Sequence, residues 1–168
     1  MNRFSANHQL QESRTLAKHY VFHMPDLPDL SWDEVVSCMN YNVKEKIPHK
    51  TQENLGLVLH SCSNLPKILD VLDEFAILQP EKNPTAHLYI SFSEKSKTFG
   101  WHKDFTEVIF WQAIGTTLFS VKQDDTVFKY ELHPNDVIYI PKGMWHSTEP
   151  LTSRVGVSMG FDKVYKGL

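Results

Sequence analysis

Leu132-His133-Pro134-Asn135-Asp136-Val137-Ile138-Tyr139-Ile140-Pro141-Lys142-Gly143-Met144-Trp145-His146 is the stretch that decides the fold. Pro134-Asn135-Asp136 reads as a turn, because Asn tolerates a left-handed backbone. A short apolar strand follows over 137–140, then a Pro-Lys-Gly turn, then an imidazole. Upstream stands a second polar signature, His102-Lys103-Asp104. On a strand, residues two apart point to the same side, so His102 and Asp104 would share a face while Trp101 and Lys103 take the other. Two imidazoles and one carboxylate can occupy one face of an octahedral metal and leave three positions open, the donor set of non-haem Fe(II) centres. His102, Asp104 and His146 are therefore the expected metal ligands.

The texture around these motifs is β. From His87 onward, short apolar runs at 87–92, 100–104, 107–113, 116–122, 126–131, 137–140 and 153–161 alternate with turn residues. Such regular spacing predicts a barrel or double sheet of jelly-roll type. Upstream, the first dozen residues are polar and read as frayed. His19 to Met24 and Asn54 to His60 read as strands, and 40–52 as an exposed loop. Ser31-Trp32-Asp33-Glu34 is a capping-box pattern that predicts a helix to about Met39. Asn64-Leu65-Pro66 opens the clearest helix, with Asn64 as cap and Pro66 in the first turn. Its stripe of Leu65, Ile68, Leu69, Leu72, Phe75 and Ala76 is expected to pack on a sheet. The reading is one mainly β domain over 1–168, with helix and strand elements over 15–84 and a core barrel over 85–161.

Bulk properties narrow the partners. The 168 residues are 41 % hydrophobic and 22 % charged, with a formal net charge of -3. That is an ordinary soluble balance, with no basic stripe of the kind that binds nucleic acid. No apolar run reaches membrane-spanning length, and the N-terminal residues lack the apolar stretch of a secretory signal. The two cysteines, Cys38 and Cys62, have no metal-ligand spacing and are expected to be reduced thiols of a cytoplasmic protein. Trp101, Trp111 and Trp145 are expected on the outer faces of the sheets, where a cluster could serve a homodimer contact. His23, His49, His60, His87 and His133 have no spacing partner and are read as structural or solvent-exposed.

Three segments together resemble the cupin-like JmjC family of oxygenases. His102-Lys103-Asp104 followed by Phe110-Trp111-Gln112-Ala113-Ile114-Gly115 looks like that family's H-x-D strand and Q-x-x-G hairpin. Leu132 to His146 is similar to its segment ending in the distal histidine, with Asn135 in place of the usual glycine. Val155-Gly156-Val157-Ser158-Met159-Gly160-Phe161 looks like its closing strand. The resemblance covers roughly 85–161. It implies a double-stranded β-helix of jelly-roll or cupin type with a few N-terminal helices. It also implies Fe(II) on His102, Asp104 and His146, and 2-oxoglutarate as co-substrate of a dioxygenase, a hydroxylase of a small molecule or peptide side chain.

One departure from the family pattern matters. Many members place Lys or Arg two residues after the hairpin glycine to pair with the distal carboxylate of 2-oxoglutarate. Here that position is Thr117, which can hydrogen-bond a carboxylate but not neutralise it. A buried carboxylate without a cation is costly. Arg154 is the expected replacement, since its planar fork can grip both carboxylate oxygens. Alternation puts Arg154, Gly156 and Ser158 on one face of the last strand and Val155, Val157 and Met159 on the other. Arg154 and Thr117 are expected to share the co-substrate carboxylate, and Tyr89 to reach it with its phenol. Two other readings stay open: a cupin-type metalloenzyme that does not use 2-oxoglutarate, and a non-catalytic cupin that binds a ligand or partner.

Overall fold

The computed structural model describes residues 2–162. Along the chain lie α1 (His8–Thr15), β1 (Tyr20–His23), α2 (Trp32–Lys44), β2 (His49–Gln52), β3 (Gly56–Leu59) and α3 (Pro66–Ala76). There follow β4 (Pro84–Ser91), β5 (Val108–Ile114), β6 (Thr117–Gln123), β7 (Thr126–Leu132), β8 (Asp136–Ile140), β9 (Trp145–Pro150) and β10 (Arg154–Phe161). A seven-stranded sheet has the order β1-β8-β5-β10-β4-β3-β2, and a three-stranded sheet the order β7-β6-β9. Every pairing is antiparallel. This is the mainly β cupin architecture that the sequence predicts, with three helices among the described residues. None of the helices is long and apolar enough to cross a membrane.

Each strand's alternation assigns its two faces. On β5, Ile109, Trp111 and Ala113 join a core with Val155, Val157 and Met159 of β10 and the buried face of α3. Val108 and Phe110 instead meet Phe119, Val121, Leu132, Ile138 and Ile140 between the two sheets. The larger sheet is thus covered on both faces, which is why β5 reads as an apolar run broken only by Gln112. On α3, Ile68, Val71, Leu72 and Phe75 are buried. Each contributes roughly 2 kcal/mol of apolar burial.

Two turns carry the backbone geometry that the sequence demands. Asn135 adopts φ 69°, so it serves where the family pattern has glycine. Gly115 has φ +70°, and a Cβ there would lie 2.0 Å from the Ser153 carbonyl oxygen. Gln112 closes that hairpin by donating from Nε2 to the carbonyls of Ile114 at 2.8 Å and Gly115 at 3.1 Å.

Several expectations need correction. Residues 100–104 form no strand; only His102 pairs, in an isolated bridge to His146. β9 was not anticipated. It is an edge strand whose only strand partner is β6, so its terminal Pro150 and polar composition are tolerated there. The first dozen residues are not frayed throughout: Asn7 caps α1 by accepting the Leu10 N–H at 3.0 Å. The segment 40–52 is not one loop, since α2 runs on to Lys44 and β2 then joins the sheet edge. Leu65, not Asn64, occupies the N-cap of α3. The Asn64 side chain instead accepts the Cys38 thiol hydrogen at 3.4 Å. Leu69 turns outward, 41 % exposed, and Val71 takes its place on the buried stripe. The capping box of Ser31 and Glu34 is formed as the sequence predicts.

Candidate active site

His146 points inward from β9, and His102 and Asp104 come from the segment that crosses its start. The crossing is fixed by the backbone. His102 N–H donates to the His146 carbonyl and His146 N–H to that of His102, both at 3.0 Å. The Gly143 N–H donates to the Asp104 carbonyl, also at 3.0 Å. The Pro141-Lys142-Gly143 turn is thereby pinned onto the His-Lys-Asp segment.

One ligand atom from each of His102, Asp104 and His146 lies within 4.8 Å of the others. His146 Nε2 is 3.4 Å from Asp104 Oδ2. Both imidazoles make the same contact on their far side. His102 Nδ1 lies 2.8 Å from the Gly100 carbonyl oxygen, and His146 Nδ1 3.0 Å from that of Met144. A carbonyl only accepts, so each Nδ1 carries the proton and each Nε2 keeps its lone pair. Orientation of ligating imidazoles through the opposite nitrogen is the usual device of metal centres. Burial pushes the Asp104 carboxyl up, but the neighbouring imidazoles, His146 first and then His102 and His87, outweigh it. The net shift is downward. Two lone pairs and a carboxylate on one side of a common centre fit a divalent transition metal.

Beside this cluster runs a slot lined by Tyr89, Ser91, Phe110, Phe119, Thr148 and Arg154, among others. Its open space is narrow, about 40 Å³, which suits a slender ligand. Arg154 sits at the first position of β10, 1 % exposed. Alternation holds there: Arg154 and Ser158 line the slot, while Val155, Val157 and Met159 enter the core. Gly156 lies between them, where a Cβ would stand 2.0 Å from the Phe110 ring.

The Arg154 guanidinium donates to three hydroxyls: Ser91 at 3.2 Å from Nε, Thr117 at 2.8 Å from Nη1 and Thr148 at 3.2 Å from Nη2. Burial lowers its pKa to about 10, a shift the Tyr89 hydroxyl partly opposes, so the group stays cationic at neutral pH. No carboxylate of a described residue pairs with it. Thr117 is fully buried behind Arg154, outside the lining of the slot. The Tyr89 phenol lines the slot, and burial followed by the nearby Asp104 raises its pKa to about 12. It therefore remains a donor at neutral pH.

Of the six residues expected from sequence, the structure gathers His102, Asp104, His146, Arg154 and Tyr89 around one cavity and sets Thr117 one layer behind. Ser91, Thr148 and Ser158 were missed. Alternation on β10 already placed Ser158 beside Arg154, but nothing in the sequence marks Ser91 or Thr148. Trp111 lies under the helices in the core, whereas Trp101 and Trp145 are exposed beside the cluster. Lys103 stands 4.7 Å above the Trp145 ring.

Residues 116–166 match the family model of the JmjC domain. That segment, under a third of the chain, is similar to the JmjC domain, and the fold around it is of the mainly β cupin type. Among solved structures it is similar to the Escherichia coli ribosomal oxygenase YcfD in complex with cobalt and succinic acid. The TM-score is 0.73 at 16 % identity, over 89 % of this chain and 49 % of that one. The same protein with cobalt and 2-oxoglutarate gives 0.59 at 19 % identity, over 93 % and 44 %. Oxalate decarboxylase from Bacillus subtilis gives 0.50 at 17 % identity, over 70 % and 28 %. At these identities the likeness is one of fold, and the chain spans about half the length of the YcfD structures. No curated protein matches in sequence.

Proposed function

We propose that the chain is an Fe(II)- and 2-oxoglutarate-dependent oxygenase that hydroxylates a small molecule or the side chain of a peptide or protein. The observation that carries this reading is Arg154: a buried cation without a counter-anion, in a narrow slot that begins at the His102, Asp104 and His146 cluster. A charge held in that state is costly unless a ligand completes it. The complex of YcfD with cobalt and 2-oxoglutarate supports the same assignment by analogy of fold.

Fe(II) would be held by His102, Asp104 and His146. Together with 2-oxoglutarate and dioxygen it supplies the oxidising power to hydroxylate a C–H bond. Arg154 binds the distal carboxylate. A guanidinium has five N–H donors, and three are spent on Ser91, Thr117 and Thr148. One N–H on each terminal nitrogen remains, which is a two-pronged fork for a carboxylate. Thr117 holds that fork in place rather than touching the ligand. Tyr89 adds an O–H donor from β4. Val108, Phe110 and Phe119 wall the slot with apolar surface and exclude water from the reacting centre.

A cupin that ignores 2-oxoglutarate was favoured mainly by the missing cation at Thr117, and the buried guanidinium of Arg154 beside the slot weighs against it. The chain is read as cytoplasmic from its two buried, unpaired thiols. Anaerobic addition of 2-oxoglutarate to the Fe(II)-loaded protein should produce a weak visible charge-transfer band that Asp104→Ala abolishes. Metal uptake with no band and no measurable 2-oxoglutarate affinity would refute the assignment.

A further inference from the structure

The inward face of β4 continues past the slot. Ser91 and Tyr89 line the slot, while Tyr89, His87 and Thr85 line a second chamber of about 300 Å³. β10 runs alongside with Ser158 and Gly160. Tyr89, Asp104, Val108 and Ser158 border both spaces, so the metal cluster lies at their junction. The slot suits a slender anion; the chamber has the volume of a ligand pocket.

The chamber's polar chemistry centres on a histidine pair. His60 follows β3 and His87 lies on β4, with Nδ1 atoms 3.3 Å apart. Only one proton can occupy that gap. The Ser61 N–H also points at His87 Nδ1, at 3.4 Å. His87 Nδ1 is therefore the acceptor and His60 Nδ1 carries the proton. It follows that His87 presents a donor at Nε2 and His60 an acceptor at Nε2. Neither Nε2 has a hydrogen-bond partner among the described residues. The pair is held from behind: Asn42 of α2 donates to the His60 carbonyl at 2.8 Å. Burial and the neighbouring His60 lower the His87 pKa to about 4, so the ring is neutral at physiological pH. Thr85, Thr106, Phe105, Phe161 and Asp162 complete much of the lining, and no Lys or Arg contributes to it. An anionic group would find no cation there.

We propose that this chamber receives the prime substrate, and that His60 and His87 read a carboxamide, an uncharged group whose carbonyl oxygen accepts and whose NH2 donates. That the carboxamide belongs to the prime substrate rests on the oxygenase reading above; that the histidine pair binds it does not.

Propionamide, propionate and propylammonium, similar in size and different in charge, test the selectivity. Each is titrated into the Zn(II)-loaded protein with N-oxalylglycine present, while the imidazole nitrogen NMR signals are followed. Propionamide should perturb His60 and His87 and bind about tenfold more tightly than either ion. His87→Leu and His60→Leu should each abolish the preference, with melting curves confirming the fold. If one variant does not fold, the other and the probe series still decide. Equal or tighter binding of an ion, or no binding by propionamide, would overturn the assignment of the pair. Replacing Zn(II) with paramagnetic Co(II) should broaden the bound propionamide signals. Binding without broadening would overturn the docking role alone. Absence of the 2-oxoglutarate charge-transfer band would instead remove the oxygenase reading and leave the probe result standing.

Discussion

Arg154 separates what a residue's identity says from what its neighbours make of it. Its type and its place on the last strand were legible in the sequence, because alternation put it beside Gly156 and Ser158. Its hydroxyl partners were not, since Ser91, Thr117 and Thr148 come from three different strands and polar residues of that size occur everywhere. Thr117 was legible as a departure from the family pattern, but its role in orienting Arg154 needed coordinates. Arg154→Ala should weaken 2-oxoglutarate binding at least about thirtyfold, the effect of losing a charge-assisted partner worth roughly 2 kcal/mol or more. Thr117→Val removes one of three acceptors that fix the fork, so its effect should be smaller, about fivefold, near 1 kcal/mol for one hydrogen bond. Anaerobic titration of the charge-transfer band measures both. A larger effect from Thr117→Val than from Arg154→Ala would contradict the layering of the two residues.

At the scale of elements, α1 shows what sequence patterning misses. The helix buries only Leu10, so it carries almost no apolar periodicity. An ion pair contributes to its docking: Arg14 donates to Glu107 from Nη2 at 2.8 Å and from Nε at 3.0 Å, and also from Nη2 to the Leu78 carbonyl at 3.0 Å. Contacts between residues so far apart in the chain leave no local signature. β9 was missed for a different reason: its inward positions carry His146 and Thr148, so the site's own chemistry removed the apolar alternation that marks a strand. β5, β8 and β10 were legible because their faces pack against apolar neighbours.

The Arg14–Glu107 pair also predicts acid sensitivity. Burial pushes the Glu107 carboxyl up, but the hydrogen bonds from Arg14 and Gln79 outweigh it and hold it below the ordinary 4.5. A depressed folded pKa gives stability that is fully present above pH 4.5 and is lost as pH falls through the folded value. Glu107→Gln should therefore cost about 2 kcal/mol at pH 7, within the range for losing a hydrogen bond to a charged group. The gap between variant and wild type should narrow below pH 4.5. Thermal melts across pH measure this, and a gap that widens in acid would contradict it.

Over the whole molecule, two cores divide the labour. The larger one, between helices and sheet, carries most of the buried apolar side chains and includes neither Arg154 nor any of His102, Asp104 and His146. The smaller one lies between the sheets, where its Val108, Phe110 and Phe119 also wall the slot. The fold should thus stand without metal, and metal should add stability by binding alone. A metal at a hundred times its dissociation constant contributes about 2.7 kcal/mol. For a chain of this size that is a rise in Tm of roughly 5–10 °C. Co(II) should produce that rise in the wild type and none in Asp104→Ala, read by differential scanning calorimetry. The class of fold was legible from the turn-strand-turn run ending at His146 and from the number of short strands. Sheet order was not, because it depends on pairings between segments far apart in sequence.

The paired backbone bonds between His102 and His146 make the two ligand-bearing segments a clasp with a single hinge state. Neither amide can reach solvent unless both rungs open, so their hydrogens should exchange for deuterium at matched rates, as one event. Metal bound on the side-chain face would hold the clasp shut and slow both rates by a common factor. The ratio of exchange with and without metal at either histidine amide would then report the site's metal affinity directly, without a spectroscopic band, a substrate or turnover.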